Sequence, residues 1–475
     1  MPMPATGSFP DALRALRGTG DTIAAIATAP GRGAIALVRM SGSCADEIAA
    51  RAITPWPIAA RVATLCAVRD PVEKTLVDRA LVTRFEHGAS FTGEQSVEIS
   101  THGGPVTPAL VLAALISAGA RQALAGEFTR RAVMNGTLDL AQAEAIGDVI
   151  DATSRAGHRA ALETLDGGLS RRVLALRDAL LEVEALIAYE IDFPEEDDGP
   201  IAPERIREAT FRAHAAIAAL LSTAPTGELV RAGALVVIAG PPNAGKSSLF
   251  NALLGEARAL VTPVPGTTRD AIEAVIDGRR WPLRLVDTAG LRETTDLVER
   301  LGIEVSERYL GRAEAVLACG ERPDDVASTT ARVASATDAP VIGVLTKTDR
   351  SAGSDNEPTS AIASGAITSG AIATSAETGV GLTAVLAAIE DAVSARHGQP
   401  ALDAPVLTRA RHVAALRQAG DELARFMETW AAGTLPAPVA AVHLRAAVGA
   451  LEELVGVVDV EDVLDRVFRT FCVGK

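Results

Sequence analysis

The octet Gly240-Pro241-Pro242-Asn243-Ala244-Gly245-Lys246-Ser247 carries the clearest chemistry in this sequence. It follows the β-rich run Leu235–Ala239 and precedes the helical run Ser248–Leu254. That is the strand–GxxxxGK[ST]–helix setting of a phosphate-binding loop. Its glycines let backbone N–H groups turn inward on phosphates that also meet the positive end of a helix. Lys246 can reach the β- and γ-phosphates, and Ser247 offers a hydroxyl to Mg2+.

Three later segments choose the base. Asp287-Thr288-Ala289-Gly290 ends the apolar run Leu283–Val286, which puts a carboxylate behind the metal and a glycine beside the γ-phosphate. Thr346-Lys347-Thr348-Asp349 ends Val341–Leu345. A carboxylate there accepts from the N1–H and 2-amino edge of guanine, which adenine lacks. Ser375-Ala376-Glu377 would clamp the guanine O6 through its backbone. Order and spacing point to GTP. Thr346 stands where most GTPases have Asn, a change that bears on affinity more than on base identity. Gly266-Thr267-Thr268-Arg269-Asp270 lies where a first switch belongs, so Thr268 becomes a second protein ligand for Mg2+. By itself Gly-Thr-Thr is an ordinary polar turn.

The elements that must position these residues follow from texture. The 475 residues correspond to about three domains. With 48% hydrophobic residues there are real cores, so global disorder is excluded. Residues 1–20 read as a flexible extension. Thr22–Ala27 and Ala34–Val38 read as strands split by the turn Pro30-Gly31-Arg32-Gly33, and Ser96–Ser100 as another. From about Leu138 the texture is helical. Leu162, Leu165, Leu169, Val173, Leu176, Leu180, Val183 and Ile187 make one apolar stripe, expected on one helix face of a bundle core. A strand–loop–helix alternation fills about Ala232 to Val393, and helical texture returns after Pro400. The expected class is α/β plus α, with a P-loop domain of mostly parallel sheet inserted into a helical bundle. Ser351–Ser375, rich in Ser, Gly and Ala, is expected to be a surface loop.

Composition narrows the partners. Acids outnumber bases 60 to 45, for a net charge of −15, so a long basic arm is excluded. Aromatics at 3% argue against stacking platforms for single strands. Cys44, Cys66, Cys319 and Cys472 form no CxxC pair, which indicates a reducing, cytoplasmic setting. Apolar runs such as Ala234–Ala239 are too short to span a bilayer. Glu195-Glu196-Asp197-Asp198 reads as a solvated loop, and the seven histidines show no ligand spacing.

Several motifs together resemble the tRNA-modification GTPase family MnmE (TrmE). They are Gly266-Thr267-Thr268-Arg269-Asp270, Asp287-Thr288-Ala289-Gly290-Leu291-Arg292-Glu293 and the terminal Phe471-Cys472-Val473-Gly474-Lys475. Others are Ser90-Phe91-Thr92-Gly93-Glu94, His102-Gly103-Gly104, Gly126-Glu127-Phe128-Thr129 and Leu138-Asp139-Leu140-Ala141-Gln142-Ala143-Glu144, so the likeness runs from Asp21 to Lys475. It implies an N-terminal α+β tetrahydrofolate-binding and dimerisation domain over residues 21–137. It also implies a helical domain in two parts, 138–230 and 397–475, around a GTPase domain at 231–396.

The resemblance further implies a homodimer that forms a heterotetramer with an FAD-containing partner, MnmG, the FAD belonging to the partner. Together they would add an aminomethyl or carboxymethylaminomethyl group to the wobble uridine of certain tRNAs. The one-carbon unit would come from 5,10-methylene-tetrahydrofolate, with 5-formyl-tetrahydrofolate as an analogue. Given the acidic chain, the tRNA would be held mainly by the partner.

Carried over by position, Asn243 would be the side-chain ligand of K+, with Thr262, Val264 and Thr267 of the loop Thr262-Pro263-Val264-Pro265-Gly266-Thr267 adding backbone oxygens. Pro263 and Pro265 replace the family's usual Asp and Ala and stiffen that loop. Leu291 stands where other GTPases place a water-orienting Gln, and the family match for that role is Glu299. Folate positions fall on Arg39, Glu98, Thr137 (usually Lys) and Lys475. Cys472, by itself a packing residue, gains a candidate role as a thiolate nucleophile toward a one-carbon imine. A ribosome-assembly GTPase switch is the alternative. It would leave Arg39, Glu98 and the terminal pentapeptide without a purpose, as would a folate-dependent aminomethyltransferase leave the GTPase motifs.

Overall fold

The computed structural model describes residues 20–192, 203–256, 272–287, 309–353, 367–368, 370–399, 405–432, 437–456 and 474. The chain divides into two compact units, one of Met1–Gly147 with Glu452–Lys475 and one of Asp148–Leu451.

The first unit is built on a seven-stranded sheet. In chain order its strands are β1 (Ile23–Ile26), β2 (Ile35–Ser41), β3 (Ile53–Thr54), β4 (Thr64–Arg69), β5 (Leu76–Phe85), β6 (Ser96–His102) and β7 (Arg121–Gln122). Their spatial order is β3-β4-β5-β6-β2-β1-β7, antiparallel throughout except for the parallel pair β1–β7. Alternation sets its two faces. Val38 and Met40 of β2 and Val97 and Ile99 of β6 point into a core with Ile48 of the helix Ala45–Ala52 and Val111 and Leu115 of the helix Thr107–Ser117. On the other face Ile23 and Ala25 meet Phe128 of the helix Glu127–Met134. Arg39 and Glu98 lie between these inward residues in sequence, so they belong to that second face.

The second unit joins helices to a second seven-stranded sheet. Its helices include Arg155–Leu165, Gly168–Asp192, Pro203–Leu221, Ala224–Ala232, Ala410–Ala432 and Ala437–Val455. Pro203–Leu221 packs on both Gly168–Asp192 and Ala410–Ala432, so helices from before and after the sheet share one bundle. The stripe expected along one helix is divided between two. Asp166 caps the first, and Gly167 takes a left-handed φ of +80° that no continuing helix permits. Leu169, Val173, Leu180, Val183 and Ile187 are buried as expected, whereas Leu162 is exposed.

The sheet comprises β8 (Ala234–Ala239), β9 (Ile272–Asp277), β10 (Pro282–Asp287), β11 (Ala315–Gly320), β12 (Val341–Leu345), β13 (Ile367–Thr368) and β14 (Ala371–Ala373). Its order is β13-β14-β12-β11-β8-β10-β9. The five strands β14, β12, β11, β8 and β10 are parallel, and the edge strands β13 and β9 are antiparallel. Strands buried on both faces read as continuous apolar runs. Val236 and Ile238 pack with Leu249 and Leu253 of the helix Lys246–Glu256 and with Val385 and Ile389 of the helix Leu382–His397. Leu235 and Val237 face Val316 and Val333. The Ser351–Ser375 segment is not all loop. Ala371–Ala373 is a buried strand paired to β12, because three small apolar residues suffice once a parallel neighbour offers its backbone. Among the described residues no helix is long and apolar enough to cross a membrane.

Trp281 is fully buried at the β9–β10 turn, and its indole N–H donates to Ser394 Oγ at 3.1 Å. Trp281→Ala should therefore destabilise the second unit by about 3–5 kcal/mol. Calorimetry should show its unfolding transition at a clearly lower temperature, and an unchanged transition would contradict this packing role.

Candidate nucleotide and folate sites

The phosphate loop leaves β8 at the centre of the sheet. Gly240 is needed for close approach, since a Cβ there would come within 2.5 Å of the Cys319 carbonyl oxygen. Asn243 and Gly245 adopt left-handed φ values of +61° and +75°. Alternating the hand of the backbone in this way turns successive N–H groups to one side and forms an anion-binding concavity. Ala244 is buried beneath it. Lys246 is also buried, and its Nζ donates to Pro241 O at 2.8 Å, which holds the ammonium at the loop itself.

Asp287 closes β10, fully buried and registered with Ile238 at the end of β8. Ser247 follows Lys246 in the first helical turn and is exposed. A hydroxyl and a carboxylate are hard oxygen donors, the set Mg2+ prefers. Asn243 is exposed on the same loop. The partner residues Thr262, Pro263, Val264, Pro265, Gly266, Thr267, Thr268, Thr288, Ala289, Gly290 and Glu299 lie outside the described residues. Cys319 sits behind this loop, and burial pushes its thiol up to about 12; Lys246 opposes the shift and Asp287 adds to it. It is an inert packing thiol.

The base motif follows β12. Thr346 and Thr348 are buried, and Lys347 takes a left-handed φ of +56°. Thr346 Oγ1 donates to Ala244 O at 2.8 Å, so the residue in place of the usual Asn still straps this loop to the phosphate loop. Asp349 accepts from Ser375 Oγ at 2.7 Å, and that hydroxyl holds its carboxyl below the ordinary Asp value. Ser375 is fixed in turn, its N–H bonded to Val380 O at 3.0 Å and its Oγ accepting from Thr378 N at 3.2 Å. A cavity of about 450 Å³ opens here, lined by Gly245, Ser248, Lys347, Asp349, Ala376 and Glu377 among others. Asn251 and Arg350 also line it and were not visible as site residues in the sequence, since each sits in an ordinary helix or turn without a motif.

In the first unit β2 and β6 place Arg39 directly opposite Glu98. Arg39 Nη2 and Nε lie 2.8 and 3.0 Å from Glu98 Oε1. The guanidinium carbon is 5.4 Å from the Phe91 ring centroid and 5.8 Å from that of Phe128, a cation–π setting. The pair is about three-quarters buried, its side chains 21% and 28% exposed, so it faces a partly open surface. Thr137 lies close by, but its hydroxyl serves the fold, within donating distance of Ala132 O at 2.9 Å and Phe91 O at 3.0 Å. Behind it Arg131 bonds Asp21, Glu94 and Glu127, and Glu94 also accepts from Ser41. Burial opposes the Arg131 charge, but these carboxylates outweigh it and hold the guanidinium above its usual value. In the same unit Gly474 is buried, and a Cβ on it would come within 2.6 Å of Ile26 O at the end of β1. Cys472 and Lys475 lie outside the described residues.

Asp349→Asn should lower GTP affinity by about 100-fold, because two charge-assisted hydrogen bonds are lost. The new amide should favour xanthosine triphosphate, whose ring carbonyl accepts from it. A lowered carboxyl value keeps Asp349 charged as the pH falls toward about 4. Ser375→Ala removes that support, so its binding of fluorescent GDP should fail at a higher pH than the wild type's. Coincident pH profiles would dismiss the role of the hydroxyl.

Residues 22–137 match the family described as the GTP-binding protein TrmE N-terminus, and residues 140–472 the MnmE helical domain. The tRNA modification GTPase MnmE of Heliobacterium modesticaldum is 40% identical over 96% of this chain and 100% of its own length. Those of Azoarcus sp. and Methylorubrum populi are each 42% identical, over 96% of this chain and 98% of theirs. The G domain of the T. maritima FeoB iron transporter is 26% identical over 34% of this chain, at a TM-score of 0.25 too low to bear on the fold. With family matches across both units and a loop built to hold a guanine nucleotide, this chain belongs to the MnmE (TrmE) family of GTP hydrolases that act in tRNA wobble modification.

Proposed function

We propose that this chain is a K+-dependent GTPase of the cytoplasm. With an FAD-containing MnmG-type partner it would add an aminomethyl or carboxymethylaminomethyl group to C5 of the wobble uridine, using 5,10-methylene-tetrahydrofolate. The observation that carries the reading is the Arg39–Glu98 pair on the open sheet face of a chain that also holds the guanine site. A GTPase switch alone has no use for it.

In hydrolysis the loop N–H groups and Lys246 hold the β- and γ-phosphates, and Asp349 selects guanine. Ser247 with Thr268 would hold Mg2+, with the Asp287 carboxylate behind it, and the ion when bound would neutralise phosphate charge. Asn243 with Thr262, Val264 and Thr267 would hold K+, which supplies positive charge where an arginine finger acts in other GTPases. Glu299 orients the attacking water. In the first unit a carboxylate offers about four lone-pair positions, so Glu98 can bond Arg39 and still receive the amino and ring N–H edge of a pterin. Phe91 and Phe128, with ring centroids 5.4 and 5.8 Å from the Arg39 guanidinium carbon, help to hold that side chain in place. The burial of Gly474 against β1 supports a terminal segment, with Cys472 and Lys475, that serves the folate-binding unit. Residues 21–137 would also carry the homodimer contact, and the partner would carry most of the tRNA phosphates.

GTP turnover in K+ should exceed that in Na+ by about tenfold or more, and equal rates would remove the cation mechanism. Arg39→Ala should weaken 5-formyl-tetrahydrofolate binding by about tenfold in calorimetric titration while GTP turnover stays unchanged. Retained folate affinity would count against this pocket. Glu299→Ala should cut turnover about 100-fold with GTP affinity intact, and full turnover would dismiss its role.

A further inference from the structure

Two consecutive residues after β12 hold two consecutive carbonyls of the phosphate loop. Thr346 Oγ1 donates to Ala244 O at 2.8 Å and Lys347 Nζ to Asn243 O at 2.7 Å. Asn is among the few non-glycine residues that tolerate a φ of +61°, so the turn is accessible by itself and these two bonds serve to fix where its carbonyls point. A lysine reaches that carbonyl through a long flexible stem, so one hydrogen bond alone would leave the ammonium several rotamers. A second anchor is present: the Lys347 ammonium also pairs with the carboxylate of Glu321.

The backbone brings these two residues together. Gly320 O, at the end of β11, accepts from Thr346 N at 2.9 Å and lies 3.1 Å from Thr346 Oγ1. The residues that follow, Glu321 and Lys347, therefore leave adjacent parallel strands side by side. The Lys347 stem also runs over the phosphate loop, since a Cβ on Gly245 would lie 3.6 Å from Lys347 Cε. The ammonium thus stands at the seam between the base cavity and the loop, with Glu321 on its outer side.

We infer that Glu321 is a positioning residue: by anchoring Lys347 it holds the Asn243 turn, so that guanine binding and the cation site respond together. The cation half of this inference rests on the proposed K+ reading of Asn243. The nucleotide half does not. Thr346 completes the arrangement from the buried side, which accounts for a functional base motif in the absence of the usual Asn.

Full-length Glu321→Ala and Glu321→Asp variants test it, through binding of fluorescent GDP and GTP turnover over a K+ series. Glu321→Ala should weaken GDP by about fivefold, the scale of a partly exposed ion pair, and raise the K+ concentration for half-maximal turnover. Glu321→Asp should recover part of both, while the nucleotide-free melting temperature stays at the wild-type value, since the side chain is exposed. Unchanged GDP affinity in Glu321→Ala overturns the inference, as does weakened GDP with an unmoved K+ midpoint. If the wild type itself turns over equally in K+ and Na+, the cation reading fails separately, and the GDP comparison alone decides for or against Glu321.

Discussion

The parallel pairing of β8 with β10 and β11 is the constraint on which the nucleotide site depends. Parallel strands deliver all their carboxyl ends to one edge of the sheet, and ligands bind in the crevice there. Residues far apart in the chain, Gly240, Asp287, Gly320, Thr346 and Ser375, therefore gather at one edge of the sheet. The register is held by apolar burial on both faces, from Val236 and Ile238 on one and Leu235 and Val237 on the other. A one-residue slip would turn each of these side chains to the opposite face. The chemistry is thus exact only because the core is.

Within that edge, geometry depends on hydrogen bonds to backbone rather than on charge alone. The left-handed Lys347 is an unfavourable conformation in isolation, whereas Asn243 is a residue that tolerates it. Each is stabilised by its neighbour: the Lys347 ammonium bonds the Asn243 carbonyl, and Thr346 bonds both Ala244 and Gly320. Partly exposed ion pairs contribute little by themselves. Here their worth lies in narrowing the positions of a side chain that must point one way.

The first unit solves a different problem with the opposite kind of sheet. Its antiparallel alternation buries Val38, Met40, Val97 and Ile99 on one face and leaves Arg39 and Glu98 on the other, about three-quarters buried beside Phe91 and Phe128. The ionic lattice of Asp21, Arg121, Glu127, Arg131 and Glu94 lies under that face and fixes the helix that carries Phe128. Buried charges are tolerable because each has several partners.

Local sequence patterns were enough for the phosphate loop, the order of the base-reading segments and the strands that carry them, because each depends on residue types at short fixed spacings; in the first sheet they marked only β1, β2 and β6. The octet at Gly240–Ser247 and the apolar runs of β8, β10 and β12 are of that kind. The Ala371–Ala373 strand was hidden by its Ser-, Gly- and Ala-rich setting, since its pairing energy comes from β12 and not from its own side chains. The break at Gly167 was masked by a stripe whose spacing continues across it. Glu321 has no local mark at all. Its meaning comes from lying beside Lys347 at the ends of two strands joined only in space. Sequence alone determined which groups could bind phosphate and guanine; tertiary structure decided which of them hold one another in place, because backbone contacts across strands leave no trace in the order of residues.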